Sequence, residues 1–160
     1  MSLAAAGFSA VLMALTAGPA VAFTCARLGA VDTYLQMTGG NETYILVLGS
    51  FGDLRQVDGE PPFRSTTWEG RFTGFTASAL AFDTPFEADV TFRSFYLPSM
   101  PKPAVLARTL PGKVGLFWIQ DNAAGFLTDY NPCTPNPETD PSRIRQYLDC
   151  INGRECTPHE

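Results

Sequence analysis

The chain has 160 residues, with 16 Asp and Glu against 11 Lys and Arg, a single histidine, and a net charge of -5 at neutral pH. That balance argues against nucleic acid, which rewards clustered cationic side chains, and against docking on an anionic membrane surface. The length supports one domain with a true hydrophobic core.

Residues 1–22 contain no charged side chain, and Leu3 to Leu15 is dominated by Ala, Leu, Val, Met and Phe. Gly18-Pro19 breaks a helix, because proline lacks the amide hydrogen and clashes with the preceding turn. Ala20-Val21-Ala22 then places small residues where a signal peptidase requires them, so cleavage is predicted after Ala22. The mature chain is then expected to begin Phe23-Thr24-Cys25 and to form a single domain, residues 23–160, secreted or periplasmic, with no stable membrane insertion after signal cleavage. No Lys or Arg precedes the apolar run, which is about as long as a short membrane span, so retention as an anchor is the alternative.

The even set Cys25, Cys133, Cys150 and Cys156 fits an oxidising compartment. Three pairings are possible. Cys150 and Cys156 flank Asn152-Gly153, which favours Cys150–Cys156 and leaves Cys25–Cys133. The longer bridge would contribute about 4 kcal/mol in the chain-entropy picture. A zinc site from Cys150, Cys156 and His159 has irregular spacing and is disfavoured by export. No metal or cofactor is expected.

Residues 23–42 are mixed and are expected to wrap one end of the domain, with a turn at Gly39-Gly40-Asn41. Asn41-Glu42-Thr43 matches a glycosylation sequon, which matters only in a eukaryotic secretory route. Thr43 to Phe51 is a strand apolar on both faces, with Gly49 marking a bulge or bend. Asp53 to Arg64 reads as a loop. Trp68 to Phe82 is a second strand whose apolar parity swaps near Gly74, as a bulged residue would cause. Ala88 to Leu97 is a third, with Val90 and Phe92 on one face and Thr91 and Arg93 on the other.

Three prolines between Pro98 and Pro103 forbid a helix or central strand there. Lys113 to Gln120 and Gly125 to Tyr130 form a hairpin around Asp121 to Ala124. A final helix spans about residues 140–152: Asp140 caps it, Pro141 opens it, and Asn152-Gly153 ends it. Ile144, Tyr147, Leu148 and Ile151 make one apolar stripe. Five strands with glycine kinks and a last helix predict a mainly β chain. Its form is a small five-stranded OB-like (oligonucleotide/oligosaccharide-binding) Greek-key barrel, tied by disulfides, with a C-terminal helix.

The order of these features resembles the netrin-like superfamily, which includes tissue inhibitors of metalloproteinases and bacterial relatives. The resemblance rests on Cys25 just after a signal peptide, "YILVLGSF", "VTFRSFY", and "GKVGLFWIQDNAAGFLTDYNPC" ending at Cys133, and covers residues 23–133. It implies a barrel with a disulfide-tied N-terminal segment. Inhibitors of that group chelate the protease zinc with the amine and carbonyl of a first-position cysteine. Here Phe23 holds that place, Cys25 matches the later cysteine, and no cysteine lies between Pro98 and Lys102.

Catalysis finds little support. His159 lies at the end of the chain, where segments fray, which disfavours Ser-His and Cys-His pairs. Asp83, Glu87 and Asp89 could serve a carboxylate-dependent hydrolase, but they read first as a solvated turn begun by Asp83-Thr84-Pro85. Neither a calcium-loop spacing nor a glycine-rich phosphate loop occurs. Trp68 and Trp118 read as core residues rather than ligand platforms. The candidate binding residues are Phe95, Tyr96, Leu97 and Met100, where aromatic and Met side chains meet prolines, together with Phe23. The expected function is a secreted, non-catalytic module that binds an unknown protein or small molecule. A protease inhibitor acting through Phe23 and the hydrolase are the alternatives.

Mass spectrometry of the exported protein without reductant is expected to find an N-terminus at Phe23 and bridged Cys25–Cys133 and Cys150–Cys156. An intact Met1 or four free thiols would contradict the assigned compartment.

Overall fold

The computed structural model describes residues 28–58, 65–78, 81–95, 105, 108–130, 136–154 and 156. Along them run α1 (Ala30–Thr38), β1 (Thr43–Asp58), β2 (Ser65–Ala77), β3 (Phe82–Phe95), β4 (Gly115–Asn122), β5 (Gly125–Tyr130) and α2 (Pro141–Ile151). The strands close into a barrel in the order β1-β2-β3-β5-β4, with β4 paired back onto β1. The β3–β5 pairing is parallel and the others are antiparallel. This is the OB-like Greek-key barrel predicted from the strand pattern, with its C-terminal helix and a Cys150–Cys156 disulfide. Among the described residues, no helix is long and apolar enough to cross a membrane.

Alternation fills the interior. Val47 and Phe51 of β1, Trp68 and Phe72 of β2, Val90 and Phe92 of β3, and Phe117 and Ile119 of β4 form one buried cluster. Phe51 is its hub, meeting Phe72, Phe92 and Phe117 edge-to-face at 4.9, 5.8 and 5.6 Å. That geometry sets the positive ring edge against the negative face of its neighbour. The opposite parity of β1 and β4 points outward, yet Leu46, Leu116 and Trp118 are also buried, under Ala30 of α1 and Tyr147 of α2.

Glu138 fastens the helices over this outer face. Its backbone exchanges two 2.8 Å hydrogen bonds with Leu116. Its carboxylate accepts from the Thr139 and Asp140 amides at 2.9 and 3.0 Å and pairs with Arg143 of α2. Arg143 in turn donates to the Leu28 carbonyl, just before α1, at 3.1 Å. Burial opposes the charge on Arg143, but Glu138 and Tyr147 together outweigh it and the pKa of Arg143 rises. α2 starts as its sequence dictates, with Asp140 accepting from the Ser142 amide at 2.9 Å, and stops before Gly153, whose φ is 65°.

Several expected boundaries move. Gly49 marks no bulge: β1 stays in register through Gly49↔Gly74, and its irregularities fall between Phe51 and Leu54 and between Gln56 and Asp58. At Gly74 itself β2 pairs in register with both neighbours and Phe75 turns outward, 48% exposed; the irregularity comes slightly later, against β3 between Thr76 and Ala77. The two glycines instead let the strands approach closely. A Cβ on Gly49 would lie 2.3 Å from the Thr73 carbonyl and 2.7 Å from the Phe72 ring.

β1 continues to Asp58, so Asp53 to Asp58 is strand rather than loop. Phe82 begins β3 instead of ending β2, and Asp83-Thr84-Pro85 is strand, with Pro85 opposite Phe75. Proline is accommodated there because β5 pairs only with Val90 to Ser94, leaving the start of β3 as an edge. α1 replaces part of the irregular segment expected over residues 23–42. It starts at Gly29 without a side-chain cap, so it lacks the usual start signal.

Gly49→Ala is expected to lower the unfolding free energy by about 2 kcal/mol or more, since backbone and a core ring must both shift. Gly52→Ala, where the nearest atom to a new Cβ is 3.6 Å away, is expected to stay within about 0.5 kcal/mol of wild type in the same urea titration.

Candidate functional site

The two helices do not seal the outer face of β1 and β4 completely. Trp118 of β4 lies at its centre and is only 3% exposed. Three tyrosines from three other elements surround it: Tyr34 of α1 at 6.1 Å between ring centroids, Tyr44 of β1 at 6.5 Å, and Tyr147 of α2 at 5.6 Å. Register explains part of this. Leu46 pairs with Trp118, and Tyr44, two residues earlier, shares its outward parity.

Tyr34, Tyr44 and Trp118, with Thr38, Leu46 and Ile151 among their neighbours, line an open cavity of about 340 Å³. Tyr44 and Trp118 also border a second cleft of about 230 Å³, reached by Gln120, Asp129 and Asn136. The Tyr34 and Tyr44 rings meet the Trp118 ring at 54° and 85°, so the aromatic walls of the larger cavity are inclined to one another.

The polar groups around these spaces are mostly engaged. The Tyr44 hydroxyl donates to Glu42 Oε2 at 2.6 Å. Partial burial, the hydrogen bond to Glu42 and the Glu42 charge together push the Tyr44 phenol up to about 12. Thr38 Oγ1 donates to the Tyr34 carbonyl at 2.8 Å, and the Gly39 amide to the Leu35 carbonyl at 2.8 Å. Arg93 forms a bidentate pair with Asp129 at 2.7 and 2.8 Å, which raises the arginine's pKa despite partial burial. Asn136 Nδ2 donates to Thr128 Oγ1 and the Asp129 carbonyl at 2.8 and 2.9 Å, and Thr128 donates to the Trp118 carbonyl at 2.8 Å. Two buried atoms beside the smaller cleft, Trp118 Nε1 and Asn136 Oδ1, find no partner among the described residues.

Most residues singled out in the sequence fall elsewhere. Phe23, Cys25, Tyr96, Leu97, Met100 and Cys133 lie outside the described residues. Phe95 ends β3, where its backbone pairs with Ser65. Cys150 and Cys156 are joined to each other, so their sulfurs are not zinc ligands.

Asp83, Glu87 and Asp89 occupy β3 rather than a turn, and all three are exposed. Asp83 accepts from Ser78 Oγ at 3.0 Å. Arg71 of β2 bridges Glu87 and Asp89, each at 3.2 Å, and its hydrogen bonds to Asp89 and then Glu87 raise its pKa. With the Arg55–Glu69 pair at 3.0 Å, Arg71 and Asp89 line an open depression of about 470 Å³ beside the β4–β5 turn. That is where OB barrels commonly take ligands. Here the carboxylates on it are held by cross-strand guanidinium groups.

Trp68 and Trp118 are core residues as expected, 2% and 3% exposed. Tyr34 and Tyr44 were not singled out from the sequence. The one available signal was the outward parity of Tyr44 next to a strand otherwise apolar on both faces. No family model matches the chain, and no curated protein or solved structure matches it either.

The raised folded pKa of Tyr44 fixes a sign. A free phenol ionises at about 10, so the linked stability is fully present below that pH and is lost as pH rises toward 12. The phenolate absorbance difference between wild type and Tyr44→Phe is expected to have its midpoint at about 12. Glu42→Gln is expected to move that midpoint down. A wild-type midpoint near that of a free phenol would show that the Glu42 contact is absent in solution.

Proposed function

We propose that the protein is an exported, non-catalytic binding module that takes a small molecule in the cavity between α1, β1 and β4. The observation that supports this most is the convergence of Tyr34, Tyr44 and Trp118, from three separate elements, on one cavity of about 340 Å³. Small-molecule sites fall at about 300–1,000 Å³ and are lined mainly by apolar and aromatic groups with a few polar ones. The closed barrel supplies a rigid floor through Leu46 and Trp118, and the helices supply the walls.

Export is the sequence-level expectation from residues 1–22. The resemblance to netrin-like inhibitors, which act by binding, is in line with this reading. The carboxylates on β2 and β3 favour it over hydrolysis, because Glu87 and Asp89 share one guanidinium and lie in the open.

An amide-shift screen of the isotopically labelled mature protein against mixed fragments is expected to return ligands that perturb Tyr34, Thr38, Leu46 and the Trp118 indole together. Tyr34→Ala is expected to weaken those ligands at least about tenfold, the scale of one lost aromatic contact in a partly enclosed site. A screen whose only ligands perturb Arg55 and Arg71, or one that returns none, would sink the reading.

A further inference from the structure

We infer that the ligand of this cavity is an organic cation with a methylated nitrogen, a quaternary or N-methylated ammonium group. The inference rests on the reading of the cavity as a ligand site and names what fills it.

The walls come first. Tyr34 meets Trp118 tilted at 54° and Tyr44 meets it edge-to-face at 85°, so the rings lining the cavity lie in more than one plane. The face of an aromatic ring is the negative part of its quadrupole, and rings of differing orientation around one space attract a cation. Tyr44 is strengthened in this role. Its hydroxyl donates to the Glu42 carboxylate at 2.6 Å, which pushes electron density into the ring.

A second field has the same sign. Thr38, the last residue of α1, lines the cavity, and no basic residue occupies the last turn of that helix. The carbonyl end of a helix bears partial negative charge and favours cations within about one turn. Among the described residues, no Lys or Arg lines the cavity. Arg93, the cation that acts on Tyr44, is held by both oxygens of Asp129. The described groups around the cavity therefore disfavour an anion.

Chemistry then selects among cations and neutral molecules. Ile45, Leu46, Ala77 and Ile151 complete the lining. The hydroxyls of Thr38, Tyr44 and Thr76 already donate, to Tyr34, Glu42 and Thr84 respectively. A metal ion or primary ammonium would exchange its water for a few hydroxyl lone pairs, with no carboxylate among the described lining residues. A sugar would leave many of its hydroxyls without partners. A methylated ammonium has few or no N–H groups to satisfy and offers apolar methyls to the same walls.

The test compares choline with 3,3-dimethylbutan-1-ol, its uncharged isostere, by tryptophan fluorescence and by amide shifts on the mature protein. Choline is expected to bind at least tenfold more tightly than the alcohol and to perturb Tyr34, Tyr44 and Trp118. Glu42→Gln, an exposed and conservative change, is expected to weaken choline several-fold and leave the alcohol unaltered. Tyr34→Ala is expected to weaken choline at least tenfold while the thermal midpoint reports that the fold is intact. Equal affinity for the two probes, or choline that perturbs only other surfaces, would overturn the cation inference. If neutral fragments still bind between Tyr34 and Trp118 in that case, the cavity remains a ligand site. If no fragment binds there, both readings fall.

Discussion

Strand β4 is apolar on both faces, and the rest of the structure follows from having to bury both. Gly115 to Ile119 are all buried. Phe117 and Ile119 complete the barrel interior, while Leu116 and Trp118 point the other way. A five-stranded barrel can satisfy only the first set. The second set requires a cover, and α1 and α2 provide it. The helices are therefore part of the hydrophobic solution, since an uncovered Trp118 and Leu116 would leave a large apolar patch in water.

The cover is positioned by polar chemistry. Glu138 joins β4 through its backbone, caps the approach to α2 through its carboxylate, and pairs with Arg143, which reaches back to Leu28. A charged pair with one partner 7% exposed and the other 22% has to be well hydrogen-bonded to be tolerated. The hydrogen bonds that satisfy it also fix both helices relative to Trp118. The same arrangement leaves a gap where α1 ends, and the aromatic cavity is that gap. Its electrostatics follow from its location: a helix carbonyl end, a glutamate on a phenol, and an arginine already neutralised by an aspartate.

Much of the fold was legible in the chain. Alternation in "VTFRSF" and the hairpin around Asn122 and Gly125 encode β3, β4 and β5, and Asp140, Pro141 and Gly153 encode α2. These are local signals, written in residues a few positions apart. Glycine was legible as special but not in its role. A chain-local reading assigns Gly49 and Gly74 to bulges, whereas their function is to let two strands lie close, which depends on a partner 25 residues away in register. Proline misled for a related reason. Pro85 signals a turn unless one knows that β5 stops short of it, leaving that side of β3 unpaired. The cavity was the least legible feature. Tyr34 lies in a helix with no capping signature, and Tyr44 looks like any strand-starting aromatic.

The sequence by itself determined the five strands and α2 in their order, the Cys150–Cys156 tether and the burial of both tryptophans, because each depends on periodicity, turn chemistry or short separation. Only the tertiary structure decided the register, the closure of β4 onto β1, the pairing of Arg71 with Glu87 and Asp89, and the meeting of Tyr34, Tyr44 and Trp118. Those are relations between residues far apart in the chain. The first three come into being when the barrel closes, and the last when burying the second face of β4 brings the helices onto it.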